Sequence, residues 1–172
     1  MKILIAVEDK VFGKALADFV IDHKWPEDTM FKIIHVEEPL SFARSHDGLS
    51  KGEFESYLEE RRRCGKSLVM GIGTALRMNF PSANVEEVVL EGHPKEVILD
   101  TAAEWKAELI VMGSHGKRGL ERLLLGSVSQ AVLAHGSCSV AIIRIPAQLT
   151  GDEEKESETN KKHSSLRSVI LV

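Results

Sequence analysis

The sequence predicts an α/β fold, an open five-stranded parallel sheet with helices on both faces. Three observations carry that reading. The run Lys2–Val7, K-I-L-I-A-V, is apolar without alternation after its first residue, the mark of a strand buried on both sides. Between runs of this kind lie segments with apolar residues at i, i+3, i+4 and i+7, so strands and helices alternate as βαβαβαβαβ. After the fourth strand comes a glycine-studded stretch that opens a helix, the place where such a sheet holds a ligand.

The first strand ends at Glu8-Asp9-Lys10. Phe12, Ala15, Leu16, Phe19, Val20 and His23 then predict a helix over residues 11–24, with Pro26 expected to stop it. A second strand covers Thr29–Val36. Residues 37–52 hold Pro39, Gly48 and Gly52, show no periodicity, and read as a long loop. A long helix is expected over 53–80, with Phe54, Tyr57, Leu58, Leu68, Val69, Ile72 and Leu76 on one stripe and Pro81 at its end. The third strand is Asn84–Leu90, and Pro94 suits the first position of a helix bearing Val97, Ile98, Thr101, Ala102 and Trp105. Glu108–Met112 is the fourth strand, Ser127 starts the next helix, and Cys138–Ile145 is the fifth strand.

Pro146 closes a domain at 1–146, and residues 147–172 are expected to form a charged, flexible tail. Its centre, G-D-E-E-K-E-S-E-T-N-K-K-H, cannot bury a core. The last residues, S-L-R-S-V-I-L-V, turn apolar again. They read either as a frayed end or as a strand that docks on a sheet edge of its own or a partner subunit.

Bulk properties narrow the function. A net charge of −4 gives no global electrostatic case for nucleic acid, and 5% aromatic residues disfavour a base-stacking surface. Cys64 and Cys138 form no CxxC pair and read as two thiols in a reducing cytosol. No apolar run approaches the length of a bilayer span, so a cytoplasmic location with no membrane partner is expected.

The chemistry concentrates in Glu108–Ser129, E-L-I-V-M-G-S-H-G-K-R-G-L-E-R-L-L-L-G-S-V-S. Strand, glycine loop and helix start together present backbone N–H groups to an anion. Gly113 is expected to turn the chain off the strand, and Gly116 to bring backbone close to a ligand. Ser127 and Gln130 fit an S-x-x-Q capping box, which fixes a helix N-terminus there. Lys117, Arg118 and Arg122 add positive charge, with a solvated surface role equally open.

Other motifs fail on spacing. Gly65-Lys66-Ser67 would end a P-loop only with a glycine at position 60, where Glu60 stands. Gly71-Ile72-Gly73 lacks its third glycine at Leu76, and small residues where a helix packs closely explain it better. The histidines show no zinc-binding spacing, and no G-x-S-x-G elbow supports a serine hydrolase. His35, at the end of an apolar strand, reads as a satisfied strand-end histidine.

Gly113, Gly116, Gly126 and Ser127 match G-x2-G-x9-G-[S/T] without a gap. With M-K-I-L-I-A-V, I-I-H-V, V-M-G-S-H-G, L-L-L-G-S-V-S and C-S-V-A-I-I-R, the chain from Met1 to Ile145 resembles the universal stress protein family, in its UspA-like, ATP-binding subgroup. The resemblance implies a Rossmann-like sheet of the adenine nucleotide α-hydrolase type, with strand order 3-2-1-4-5. It implies an adenine pocket at Ala6, Val7 and Val36, and a ribose and phosphate border at Met112, Gly113, His115 and Gly116. Gly126, Ser127, Val128 and Ser129 would complete the phosphate cradle. Glu8 stands where ATP-binding members carry a ribose-binding Asp, and Asp9 beside it is a possible substitute. The implied ligand is ATP, with ADP or AMP as alternatives and Mg²⁺ alongside. The implied assembly is a homodimer through the last strand, 139–145, together with an unknown protein partner.

The function expected is therefore nucleotide-dependent regulation or sensing in a stress response. The alternative is a scaffold that has lost the nucleotide and acts through protein–protein contacts. Dedicated catalysis is not expected, beyond slow ATP hydrolysis: Glu8-Asp9-Lys10-Val11-Phe12 lacks the pyrophosphate loop of adenylate-forming ligases, and no in-line base stands out.

Overall fold

The computed structural model describes residues 1–40, 50–114 and 125–144, and the backbone of 168–171. Its elements are β1 (Lys2–Ala6), α1 (Lys10–Ile21), β2 (Met30–Glu37), α2 (Lys51–Asn79), β3 (Asn84–Glu91), α3 (Pro94–Trp105), β4 (Leu109–Gly113), α4 (Ser127–His135), β5 (Ser139–Arg144) and β6 (Ser168–Leu171). The sheet order is β3-β2-β1-β4-β5-β6. The first five strands are parallel, in the expected order 3-2-1-4-5. The sixth comes from the chain's last residues and lies antiparallel on β5. Residues 145–167, most of the expected tail, lie outside the described residues.

Side chains alternate across the central strands and feed two cores. Ile3, Ile5, Phe31, Ile33, Val111 and Ile143 pack against Leu16 and Val20 of α1 and Ile72 and Leu76 of α2. Leu4, Ala6, Ile34, Ile110, Met112 and Ile142 pack against Ile98 and Ala102 of α3 and Val132 of α4. Helices thus cover both faces, which is why β1 and β4 read as apolar runs and not as alternating strands.

Two element ends differ from expectation. Helix α1 stops at Ile21, ahead of Pro26, because the Trp25 indole N–H donates to the Val20 carbonyl at 2.7 Å and His23 Nδ1 sits 2.6 Å from the Phe19 carbonyl. These side chains take the orphan carbonyls that another helical turn would have used. Helix α2 starts two residues earlier than expected, behind a full capping box. The Ser50 hydroxyl accepts from the Glu53 N–H, and the Glu53 carboxylate accepts from the Ser50 N–H at 2.7 Å.

Gly65 and Gly73 lie within α2, away from any phosphate loop. A Cβ at Gly65 would stand 2.7 Å from His35 Cδ2, and one at Gly73 would overlap the Glu87 carboxylate that Arg77 grips. Close packing explains both glycines, whereas Gly71 faces open space.

Candidate functional site

All four helices follow strands of the parallel sheet, so their N-termini gather at the carboxyl edge, where their partial positive charges point. Three are already occupied or unfavourable. At α1, Asp9 is the N-cap and its Oδ1 accepts from the Phe12 N–H at 2.9 Å. At α2, Ser50 and Glu53 close the end. At α3, no side chain caps the helix, but Pro94 removes one donor and Glu96 puts a negative charge in the first turn. Helix α4 has Gly126 as its N-cap, no side-chain capping bond and no acidic residue in its first turn.

The capping box expected at Ser127 and Gln130 is therefore not formed. Ser127 is the first helical residue, one place past the cap, and the Gln130 amide donates to the Leu125 carbonyl at 2.8 Å. This start leaves the helix end more open than a capping box would, because the first turn's backbone donors carry no side-chain partner of their own.

What fixes this helix start is a backbone clamp built on Ser114. Its N–H donates to the Ile143 carbonyl at the end of β5, at 2.9 Å, and its carbonyl accepts from the Gly126 N–H at 2.8 Å. The buried Ser129 hydroxyl is within 2.9 Å of both the Ser114 and Gly126 carbonyls. Ser129 thus spends its side chain on the clamp and brings only its backbone N–H to the cradle. Sequence reasoning passed over Ser114, since its contribution is made by main-chain atoms and no residue type announces it.

Gly113 has a different role from the one expected. A Cβ there would lie 2.5 Å from Phe12 Cδ1, so the glycine admits the Phe12 ring of α1 against the end of β4. Its backbone is not in the left-handed region, and Gly92 is the only described glycine that is.

The apolar residues divide between the two faces. Ala6 pairs with Met112 across β1 and β4, and both join Val36 on the α3–α4 face, the face that α4 covers. Val128 packs against the same cluster. Val7 goes to the opposite cluster, with α1 and α2, so the structure does not bring its side chain to the others. Its backbone is held firmly: the N–H donates to Ile34 O at 2.9 Å, and its carbonyl lies 2.9 Å from His35 Nδ1. His35 is thus satisfied at the strand end, as its position suggested.

Glu8 stands exposed between Val7 and the cap Asp9. Asp9, considered as its substitute, is committed to the α1 cap. His115, Gly116, Lys117, Arg118 and Arg122 lie outside the described residues. Glu37 is a buried carboxylate that sequence reasoning missed, one residue past Val36. Among the described residues its Oε1 has no hydrogen-bond partner, and it sits under Gly65 of α2 on the α1–α2 face.

Comparison with known proteins places the fold in a family. The model of the universal stress protein family matches residues 1–144. This chain belongs to the universal stress protein family. A universal stress protein of Synechocystis sp. is 45% identical over 151 residues, covering 83% of this chain and 97% of that protein. Universal stress protein A homolog 2 of Coxiella burnetii is 32% identical over 146 residues, covering 84% and 94%. Among solved structures, a universal stress protein family protein of Arabidopsis thaliana with AMP bound superposes with a TM-score of 0.64 at 18% identity, covering 89% of this chain and 97% of that one. That likeness establishes the shared fold. No helix among the described residues is long and apolar enough to cross a membrane.

Proposed function

We propose that this chain binds an adenine nucleotide, ATP with ADP or AMP as alternative residents, and works as a nucleotide-dependent regulator or sensor of the stress response in the cytoplasm. One observation carries the reading. Among the described residues, four helix N-termini lie at the carboxyl edge of the sheet, and of these only that of α4 has neither a side-chain cap nor a first-turn carboxylate. An anion is the natural partner of such an end, because it satisfies the N–H groups and meets the positive end of the helix dipole. Beside it, Ala6, Val36 and Met112 belong to the apolar cluster against which Val128 of α4 packs, the kind of surround an adenine ring requires.

The family supports the choice of ligand: its members of known structure include proteins solved with AMP, cAMP and dAMP. Magnesium would arrive with the phosphates, since no cluster of three His, Cys, Asp or Glu side chains among the described residues is placed to hold a metal ion by itself. The residues named bind and orient. We assign them no catalytic role and propose at most slow hydrolysis, with the output carried to a protein partner.

Calorimetric titration with Mg-ATP, ADP and AMP tests the proposal. Saturable binding in the micromolar range is expected, about 8 kcal/mol of binding free energy. The paired Gly116→Val, Gly126→Val variant is expected to abolish it. No heat and no melting shift at millimolar nucleotide would sink the proposal and leave the protein–protein scaffold in its place.

A further inference from the structure

The two edges of the sheet are defended differently. Edge strand β3 reads N-V-E-E-V-V-L-E, and its Glu86 and Glu87 are paired with Lys32 at 3.0 Å and with Arg77. Charges of this kind discourage pairing with another strand. Strand β5 reads S-V-A-I-I-R, with Val140, Ala141, Ile142 and Ile143 all buried and no charge before Arg144. An edge strand of that composition pairs readily with another strand. What covers it is β6, paired antiparallel over Ala141↔Leu171, Ile142↔Ile170, Ile143↔Val169 and Arg144↔Ser168.

The covering segment resembles the strand it covers. Residues 168–172 read S-V-I-L-V, and residues 139–143 read S-V-A-I-I. The direction also matters. Two copies of one strand related by a twofold axis across a shared edge pair antiparallel, which is the direction β6 takes on β5. The last strand therefore has both the residue pattern and the polarity that a second copy's β5 would bring to the same edge.

We propose that β6 is an intramolecular stand-in for the β5 of a second molecule, and that the two compete for one edge. The homodimer through residues 139–145 then forms only when β6 leaves. A strand tethered to its own sheet competes at an effective concentration in the millimolar range, so at micromolar protein the self-paired form wins if the two strands pair equally well. This inference is independent of nucleotide binding.

Sedimentation velocity on three full-fold forms tests it: the intact chain, a chain ending at Ser164, and an intact chain with Ile170→Pro, which disrupts pairing at the centre of β6. The intact chain is expected to stay monomeric at concentrations where the other two dimerise, with apparent dimer affinity raised at least about tenfold. Should truncation promote non-specific aggregation, the intact chain carrying Ala141→Cys and Leu171→Cys decides. Oxidised across that register pair it should remain monomeric at every concentration, and reduced it should match the intact chain. Equal oligomeric states for the intact and released forms would overturn the proposal. So would a dimer seen only when β6 is present, which would make β6 part of the interface and not its competitor.

Discussion

Helices α2 and α4 begin on the same edge of the same sheet, yet they end their hydrogen-bond ladders in opposite ways. Helix α2 closes on itself, with Ser50 and Glu53 satisfying each other's backbone N–H groups. Helix α4 starts at a glycine that has no side chain to offer, and its position is set from outside by the Ser114 clamp. A self-capped start is stable alone and indifferent to ligands. A bare, clamped start trades some of that stability for an open set of donors, which is how a helix terminus becomes a binding site.

The sharpest way to break the contrast is to give α4 the cap that α2 has. Gly126 has φ −63° and ψ 159°, an ordinary extended conformation that Asp adopts freely. Gly126→Asp would cap the helix with its own carboxylate and place a negative charge where a phosphate is proposed to sit. Nucleotide affinity should fall at least about a hundredfold, or roughly 2.7 kcal/mol. The free protein should melt at the same temperature or slightly higher, since Asp for Gly at an N-cap gains a few tenths of a kcal/mol. Binding within threefold of the unaltered protein would mean that the α4 start is not the anion site.

A second change acts on the support and not on the donors. Gly113→Ala forces a methyl against the Phe12 ring, and should cost about 1–3 kcal/mol in a urea titration. If that clash is the cause, pairing it with Phe12→Leu should recover a substantial part of the loss, a coupling that a double-mutant cycle reads directly. Additive losses would return Gly113 to the role of a turn residue.

Those two glycines show how far the sequence could be read. The strand and helix order was legible because burial on two faces writes itself into β1 and β4 as unbroken apolar runs, and into α1 and α2 as stripes. The position of the candidate site is legible because the glycine spacing marks a strand-to-helix passage. What each residue does there was less so. Gly113 reads in the sequence as a turn residue because no residue type signals a ring arriving from α1. Ser127 reads as the cap because the S-x-x-Q pattern fits a helix that starts one residue later than this one. Ser114 and Ser129 act through main-chain geometry that spacing does not encode. Strand β6 was visible only as an apolar ending with two readings, since pairing with β5 depends on contacts far away in sequence.

The smallest expected effect tests the closed helix. Ser50→Ala removes the hydroxyl that accepts from the Glu53 N–H and should cost about 1 kcal/mol of stability while leaving nucleotide affinity unchanged. It also carries a pH signature. The hydrogen bonds with Ser50, the side-chain one foremost, hold the Glu53 carboxyl below its ordinary 4.5. A carboxyl whose folded pKa is lowered contributes stability at pH above the unfolded value and loses it as pH falls through the folded one. The stability gap between the unaltered protein and the Ser50→Ala variant should therefore be full near neutrality and narrow below pH 4.5, as thermal melts across an acid series would show. A gap that stays constant into acid would mean that the Ser50 hydroxyl does nothing to the Glu53 carboxyl, and that the carboxyl is held by the backbone N–H at position 50, which alanine keeps. Helix α2 would then stay half closed in the variant, and its difference from α4 would rest on the Glu53 side chain.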